Sequence, residues 1–343
     1  MSISSESEET VMKIKNFLKR FKAYALILVV GLGLFTGCGS SGSGKSSGKN
    51  AKIYVIFTDE DDAYRKLLYN GLKSSAEKEK VTIKFENCGN DVNNQVEAAR
   101  KAKKGGYDAI ICRLADASTA PQIELAAGGL PVIYVNNQPD ESALKADKYI
   151  FAASDENQAG KYQAEYVMNK LNKKEMNIVI MEGEKGHSGA EARTASVKEN
   201  LKDAGVKANV VFMDFANWSD DEAEHKMDLF LRTGHSIDAV FCNNDTMALG
   251  VVKSLQSHGL STKDIPVVGV DATSDGCQSI KDGGMQFTVF QNAKGQAAKA
   301  IELARDLGQG KKVDSVKGVT ENGKFAWVPF EKVDSSNVDD YMK

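Results

Sequence analysis

The chain has 343 residues, 42% of them hydrophobic and 27% charged, which is ordinary globular composition; its length predicts about two domains. A formal net charge of −3 supplies no basic field and argues against a nucleic-acid partner. No apolar run reaches the roughly 18 residues that a membrane-spanning helix needs.

The first predicted element is an export signal. Lys13, Lys15, Lys19, Arg20 and Lys22 form a basic stretch, Ala23 to Phe35 is almost wholly apolar, and Thr36-Gly37-Cys38 follows. Basic region, short apolar core and small residues before a cut describe a secretory signal. A cysteine directly after the small pair resembles the bacterial lipobox, which implies that Cys38 is diacylated and begins the mature protein, although Phe35 stands where leucine is usual. Met1 to Val11 is acidic and polar, unlike the start of a signal, so Met12 is the expected initiator. Residues 39–50 read GSSGSGKSSGKN, a flexible tether. More than one acyl chain is needed for lasting attachment, and diacylation would supply it.

From Ala51 a pattern repeats: short apolar run, polar loop, amphipathic stretch. The predicted strands are Ile53–Phe57, Thr82–Phe85, Ala109–Cys112, Val132–Val135, Ile178–Met181, Val210–Met213, Ala239–Cys242 and Val267–Val270. Helical spacing lies between them at Ala63–Lys78, Gln95–Lys103, Gln158–Leu171, Ala190–Lys202, Thr246–Ser257 and Gln296–Leu307. This alternation predicts an α/β protein of doubly wound parallel sheets, with ligands at the carboxyl ends of strands. Thr58-Asp59-Glu60, Arg113, Asn243-Asn244-Asp245 and Asp271 occupy such ends. The length calls for two lobes, with a change of series near Phe151–Ser154 and two late strands, Phe287–Phe290 and Phe325–Phe330, crossing back. Of the cysteines, Cys88, Cys112, Cys242 and Cys277 show no close pairing; buried thiols are expected. The four histidines are scattered, so no metal site is expected.

Several segments together resemble the galactose/glucose-binding proteins of bacterial sugar importers. They are Glu182-Gly-Glu-Lys-Gly-His-Ser-Gly-Ala-Glu-Ala-Arg193-Thr, Ala216-Asn-Trp218, Asn243-Asn-Asp-Thr-Met-Ala-Leu-Gly250, Ile265-Pro-Val-Val-Gly-Val-Asp271-Ala, Phe287-Thr-Val-Phe-Gln-Asn292 and Trp327-Val-Pro. The resemblance implies a type 1 periplasmic-binding-protein fold with a three-segment hinge. One lobe would hold residues 51–152 plus 292–326, and the other 153–291 plus 327–343. It also implies a monosaccharide ligand, an ABC importer permease as partner, no enzymatic activity and no cofactor. A chemotaxis receptor is a further partner that such proteins can serve, and the chain is expected to act as a monomer.

The site residues implied are His187, Arg193, Trp218, Asn244, Asp271 and Gln291. Trp218 matches the stacking tryptophan, with a core position as the alternative. His187 and Arg193 match hydroxyl-binding residues; an exposed imidazole and a helix-surface ion pair with Glu191 or Glu199 are the alternatives. For Asn244 and Asp271 the alternative is helix capping. Four positions depart from the family. Thr58 stands for an aspartate, Glu60 for a second stacking aromatic, Arg113 for an asparagine and Gly189 for an aspartate. Asp59 or Asp116 could compensate. Glu60 and Arg113 either pair with each other or meet a charged or modified sugar. The stretch Asn172–Asn177, where the family carries a calcium loop, has two lysines and too few oxygen ligands for that ion. No metal-ligand spacing points to an enzyme, and the strings at 39–46 and 44–48 that fit the P-loop and G-x-S-x-G patterns fall within the Gly/Ser-rich tether; signal and tether occupy the place where a repressor would carry its DNA-binding helices.

Overall fold

The computed structural model describes residues 50–59 and 62–342. The export signal, the suspected initiator Met12, Cys38, most of the tether and Glu60 lie outside the described residues. Among those described, no helix is long and apolar enough to cross a membrane.

Two six-stranded sheets organise the chain. The first sheet has the order β11-β5-β4-β3-β1-β2, built from β1 (Lys52–Phe57), β2 (Thr82–Asn87), β3 (Ala109–Cys112), β4 (Val132–Tyr134), β5 (Tyr149–Ala153) and β11 (Phe325–Trp327). All its pairings are parallel. The second has the order β12-β10-β9-β8-β6-β7, from β6 (Glu175–Glu182), β7 (Lys207–Phe215), β8 (Ala239–Cys242), β9 (Val267–Val268), β10 (Phe287–Phe290) and β12 (Glu331–Asp334). It is parallel except that β12 runs antiparallel to β10.

Central strands are apolar throughout because helices cover both faces of each sheet. Every residue of β3 and of β8 is buried. Ile53, Val55 and Ile111 join one core layer while Tyr54, Ile56 and Cys112 join the layer on the opposite face. The second sheet divides likewise, with Val240 and Cys242 on one side and Ala239 and Phe241 on the other. Cys88, Cys112, Cys242 and Cys277 are buried free thiols.

The sheets define two lobes, and the chain passes between them after Ala153, Phe290 and Trp327. Helices α1 (Ala63–Lys78) and α9 (Ala293–Gly308) pack side by side on the first lobe. Gly71 makes this possible, since a Cβ there would lie 2.8 Å from the Ala297 methyl. Helices α4 (Glu156–Leu171) and α5 (Ser188–Asp203) pair in the same way on the second lobe. A Cβ on Gly160 would come within 2.3 Å of the Arg193 carbonyl oxygen, so this glycine sets how close α5 lies to α4. The sequence pattern did not reveal β5, β12 or the helix Asp220–Leu231, whose apolar positions are few and interrupted by acidic side chains.

Candidate functional site

The carboxyl ends of both sheets face one interlobe cavity. Its lining is Asp62, Tyr64, Arg65, Arg113 and Asn136 from the first lobe and His187, Arg193, Trp218, Asn244, Asp271 and Gln291 from the second. Each first-lobe residue follows a strand or opens the helix after it, as parallel topology requires.

The second-lobe half is a preorganised polar network. Arg193 is buried, and each of its three guanidinium nitrogens donates one hydrogen bond. Nε donates to Glu156 Oε2 at 2.6 Å, Nη1 to the Asn243 carbonyl at 2.6 Å and Nη2 to Gln291 Oε1 at 2.9 Å. Burial opposes its charge, but Glu156 and Asp271 outweigh that and hold it firmly protonated. The surface ion pair with Glu191 or Glu199 is therefore not the arrangement adopted. Gln291 also donates to Glu156 Oε1 at 3.4 Å, which makes it a brace for Arg193 as well as a lining residue.

His187 is buried and caps α5, its Nδ1 accepting from the Gly189 amide at 3.1 Å. That bond places the ring proton on Nε2, which lies 3.5 Å from Asn136 Oδ1 across the cleft. Burial drives the imidazole pKa well below its ordinary value, and Arg113, Arg193 and Arg65 push the same way. At neutral pH the ring is a neutral donor. Trp218 meets it edge to face, with centroids 5.1 Å apart. The indole lies so close over Gly183 that a Cβ there would be 2.1 Å from it.

Asn244 does two jobs. Its Oδ1 accepts from the Met247 amide at 2.9 Å, capping α7 (Asp245–Ser257), while its Nδ2 is buried with no hydrogen-bond partner among the described residues. Asp271 is buried and not a cap; Thr273 caps the next helix. Burial raises the Asp271 carboxyl well above the usual range; Arg193 opposes this, and Asp245, Asp62 and Glu156 reinforce it. Backbone strain concentrates here: Asn217 and Trp218 have φ of 48° and 65°, Asp271 and Ala272 of 120° and 50°. Non-glycine residues in this region cost about 1–3 kcal/mol each and cluster at functional sites.

The first-lobe half is charged. Arg113 is buried, its Nε donating to Asn136 Oδ1 at 3.1 Å and its Nη1 to Asn90 Oδ1 at 3.0 Å. Arg65 pairs with Asp59 at 2.8 Å. Both arginines reach Glu184 of the second lobe, Arg65 at 3.3 Å and Arg113 at 3.5 Å.

Of the sequence-predicted residues, the cavity gathers His187, Arg193, Trp218, Asn244, Asp271, Gln291 and Arg113. Thr58 is a correction. It is buried, its Oγ1 has no hydrogen-bond partner among the described residues, and it lines a separate cavity with Phe57, Tyr69, Phe85 and Asn87, because the strand end turns its side chain away from the cleft. Asp59 does not enter the lining, and Asp116 caps a short turn at Ala117–Thr119. At Gly189 a Cβ would lie 3.5 Å from the Glu156 carboxyl carbon, so Glu156 fills space that an aspartate at position 189 would need. Sequence reasoning missed Asp62, Tyr64, Arg65, Asn136, Glu156 and Glu184. Asn136 was recoverable, since it follows the predicted strand Val132–Val135.

Residues 53–312 match the family model described as periplasmic binding protein domain. The chain belongs to this family. The binding protein is 31% identical to a putative rhizopine-binding protein of Rhizobium meliloti, over 82% of this chain and 89% of that one. It is 28% identical to the D-galactose/methyl-galactoside binding periplasmic protein of Haemophilus influenzae, over 69% and 75%. Among solved structures it resembles an ABC transporter solute binding protein from Bacillus halodurans with bound myo-inositol, at 30% identity, TM-score 0.76 and coverage of 85% and 97%. The two-lobe α/β fold expected from the sequence is the fold of this family.

Proposed function

We propose that this binding protein captures one neutral polyhydroxylated six-membered ring, a monosaccharide or cyclitol, in the interlobe cavity and hands it unchanged to an ABC importer. The observation that carries the reading is the pairing of Trp218 with a ring of fixed polar groups: neutral His187, Asn244 Nδ2, Arg193 and Asp271. Each ring hydroxyl both donates and accepts. A closed site must answer nearly all of them, since an unpaired buried polar group costs about 1–3 kcal/mol. Asn244 Nδ2 and His187 Nε2 offer donors, Asp271 an acceptor, and the Trp218 face an apolar cover for ring C–H groups. The names and bound ligands of relatives, a galactoside, rhizopine and myo-inositol, fit such a ring. Within that class, galactose and glucose follow from the kept second-lobe motifs, and Arg113 marks where selectivity departs from theirs.

The same reading puts the protein outside the cytoplasmic membrane, held by lipid on Cys38. Mass spectrometry of the membrane fraction should find diacylated Cys38 as the first residue, and Cys38→Ala should release the protein or leave it unprocessed. A calorimetric panel of galactose, glucose, ribose and myo-inositol tests the ligand class. One tight ligand recovered unchanged supports the reading; no binding across the panel, or chemical turnover, overturns it.

A further inference from the structure

Two buried guanidiniums, Arg65 and Arg113, lie side by side in the first-lobe wall. Their compensation is uneven. Arg65 holds Asp59 of its own lobe, whereas the first-lobe atoms that Arg113 contacts through its side chain are amide oxygens of Asn136 and Asn90. Among the described residues, Glu184 is the one carboxylate within ion-pair distance of Arg113, and it comes from the other lobe. It contacts Arg65 with its second oxygen. A neutral clasp lies beside it: Ser188 Oγ donates to Asn137 Oδ1 at 3.0 Å and accepts from the Gln138 amide at 2.7 Å.

We propose that Glu184 is an electrostatic latch that closes the lobes by bridging Arg65 and Arg113. Opening separates the carboxylate from both guanidiniums at once and leaves two like charges together in a wall where, among the described residues, Asp59 pairs with Arg65 and Asp62 lies nearby, but no carboxylate is within ion-pair distance of Arg113. Buried charge without a partner is costly, so the closed state gains stability before any ligand enters. Glu184 is outside the cavity lining; it acts on ligand retention by biasing the lobe equilibrium, and a ligand's apparent affinity scales with the fraction of protein in the competent state. This rests on the interlobe cavity being the ligand site, but the latch itself is read without ligand.

The test is small-angle X-ray scattering of the ligand-free protein at low and high salt, with Glu184→Gln, Glu184→Asp and, as a control, Glu141→Gln, whose carboxylate pairs with Lys324 inside the first lobe. Wild type and Glu141→Gln should be compact at both salts, since a pair this buried is little screened. Glu184→Gln should be expanded at both, and Glu184→Asp intermediate. Circular dichroism melts confirm that the variants are folded. For any ligand found in the panel, Glu184→Gln should release it about 5–10-fold faster, within the usual range of coupling between a conformational equilibrium and a site. Glu184→Gln scattering identical to wild type at both salts would overturn the latch. Loss of panel binding in wild type would overturn the ligand reading and leave the scattering result standing.

Discussion

The two halves of the cavity solve the problem of buried polarity differently. The second-lobe half is a finished network. Arg193 has three intralobe partners and His187 is held neutral in a defined tautomer. The first-lobe half is less complete, because among the described residues the carboxylate within ion-pair distance of Arg113 comes from across the cleft. One half is a preformed template, and the other is completed by closure. Recognition of a ring should therefore depend on the second lobe for shape and on the first for retention.

The sharpest way to break this comparison is Arg193→Leu. It leaves Glu156 buried without its cation, at a cost of about 3–5 kcal/mol, to be read as a fall in the urea midpoint together with lost ligand binding. A stability loss below about 1 kcal/mol would mean that the second-lobe network is not integral to the fold. Next is Trp218→Ala. It should weaken ligand affinity by about 1–3 kcal/mol, the usual cost of deleting a packed contact, while the half-buried position lets the fold survive. Intrinsic fluorescence should respond to ligand in wild type; unchanged affinity in the variant would return Trp218 to a packing role.

A third prediction uses pH. The His187 pKa is depressed in the folded protein, first by burial and then by the arginines. Its neutral form thus stabilises the fold fully above the unfolded pKa of about 6.5. That contribution is lost as pH falls below 6.5, because the unfolded chain takes up the proton first, with a limiting slope of about 1.4 kcal/mol per pH unit. His187→Gln can keep both cap and donor while removing the titration, so denaturation between pH 6.5 and 5 should show a shallower loss of stability than wild type. Equal slopes would mean that another group governs acid sensitivity. The smallest expected effect is that of a chelator. The stretch Asn172–Asn177 spans the turn before β6 and the first residues of that strand, at the far end from the cavity. Lys173 there is committed to Asp238, and Lys207 to Glu175 at 2.7 Å. EDTA should leave melting temperature and ligand affinity unchanged, whereas a drop reversed by calcium would reveal a site.

Much was legible in the sequence because parallel α/β architecture ties function to strand ends. Buried runs such as Ala109–Cys112 and Ala239–Cys242 announce central strands, and the polar residue that follows each one, Arg113 or Asn243-Asn244, reaches the cleft by topology alone. His187, Trp218 and Asp271 were found through motif resemblance, and the cavity brings all three together.

What only the tertiary structure decided is partnership. Glu156 lies 37 residues from Arg193, and Glu184 lies 71 residues from Arg113 and 119 from Arg65. Such pairs are chosen by how two sheets and their helices meet, not by local pattern. The direction of the Thr58 side chain was equally out of reach, because side chains alternate along an extended chain and one residue of register decides the face. Local preference and periodicity act over a few residues, so the sequence by itself determined which segments become strands and which loops carry chemistry. The pairing of charges across the cleft is a long-range electrostatic and packing outcome, and it exists only once both lobes are folded against each other.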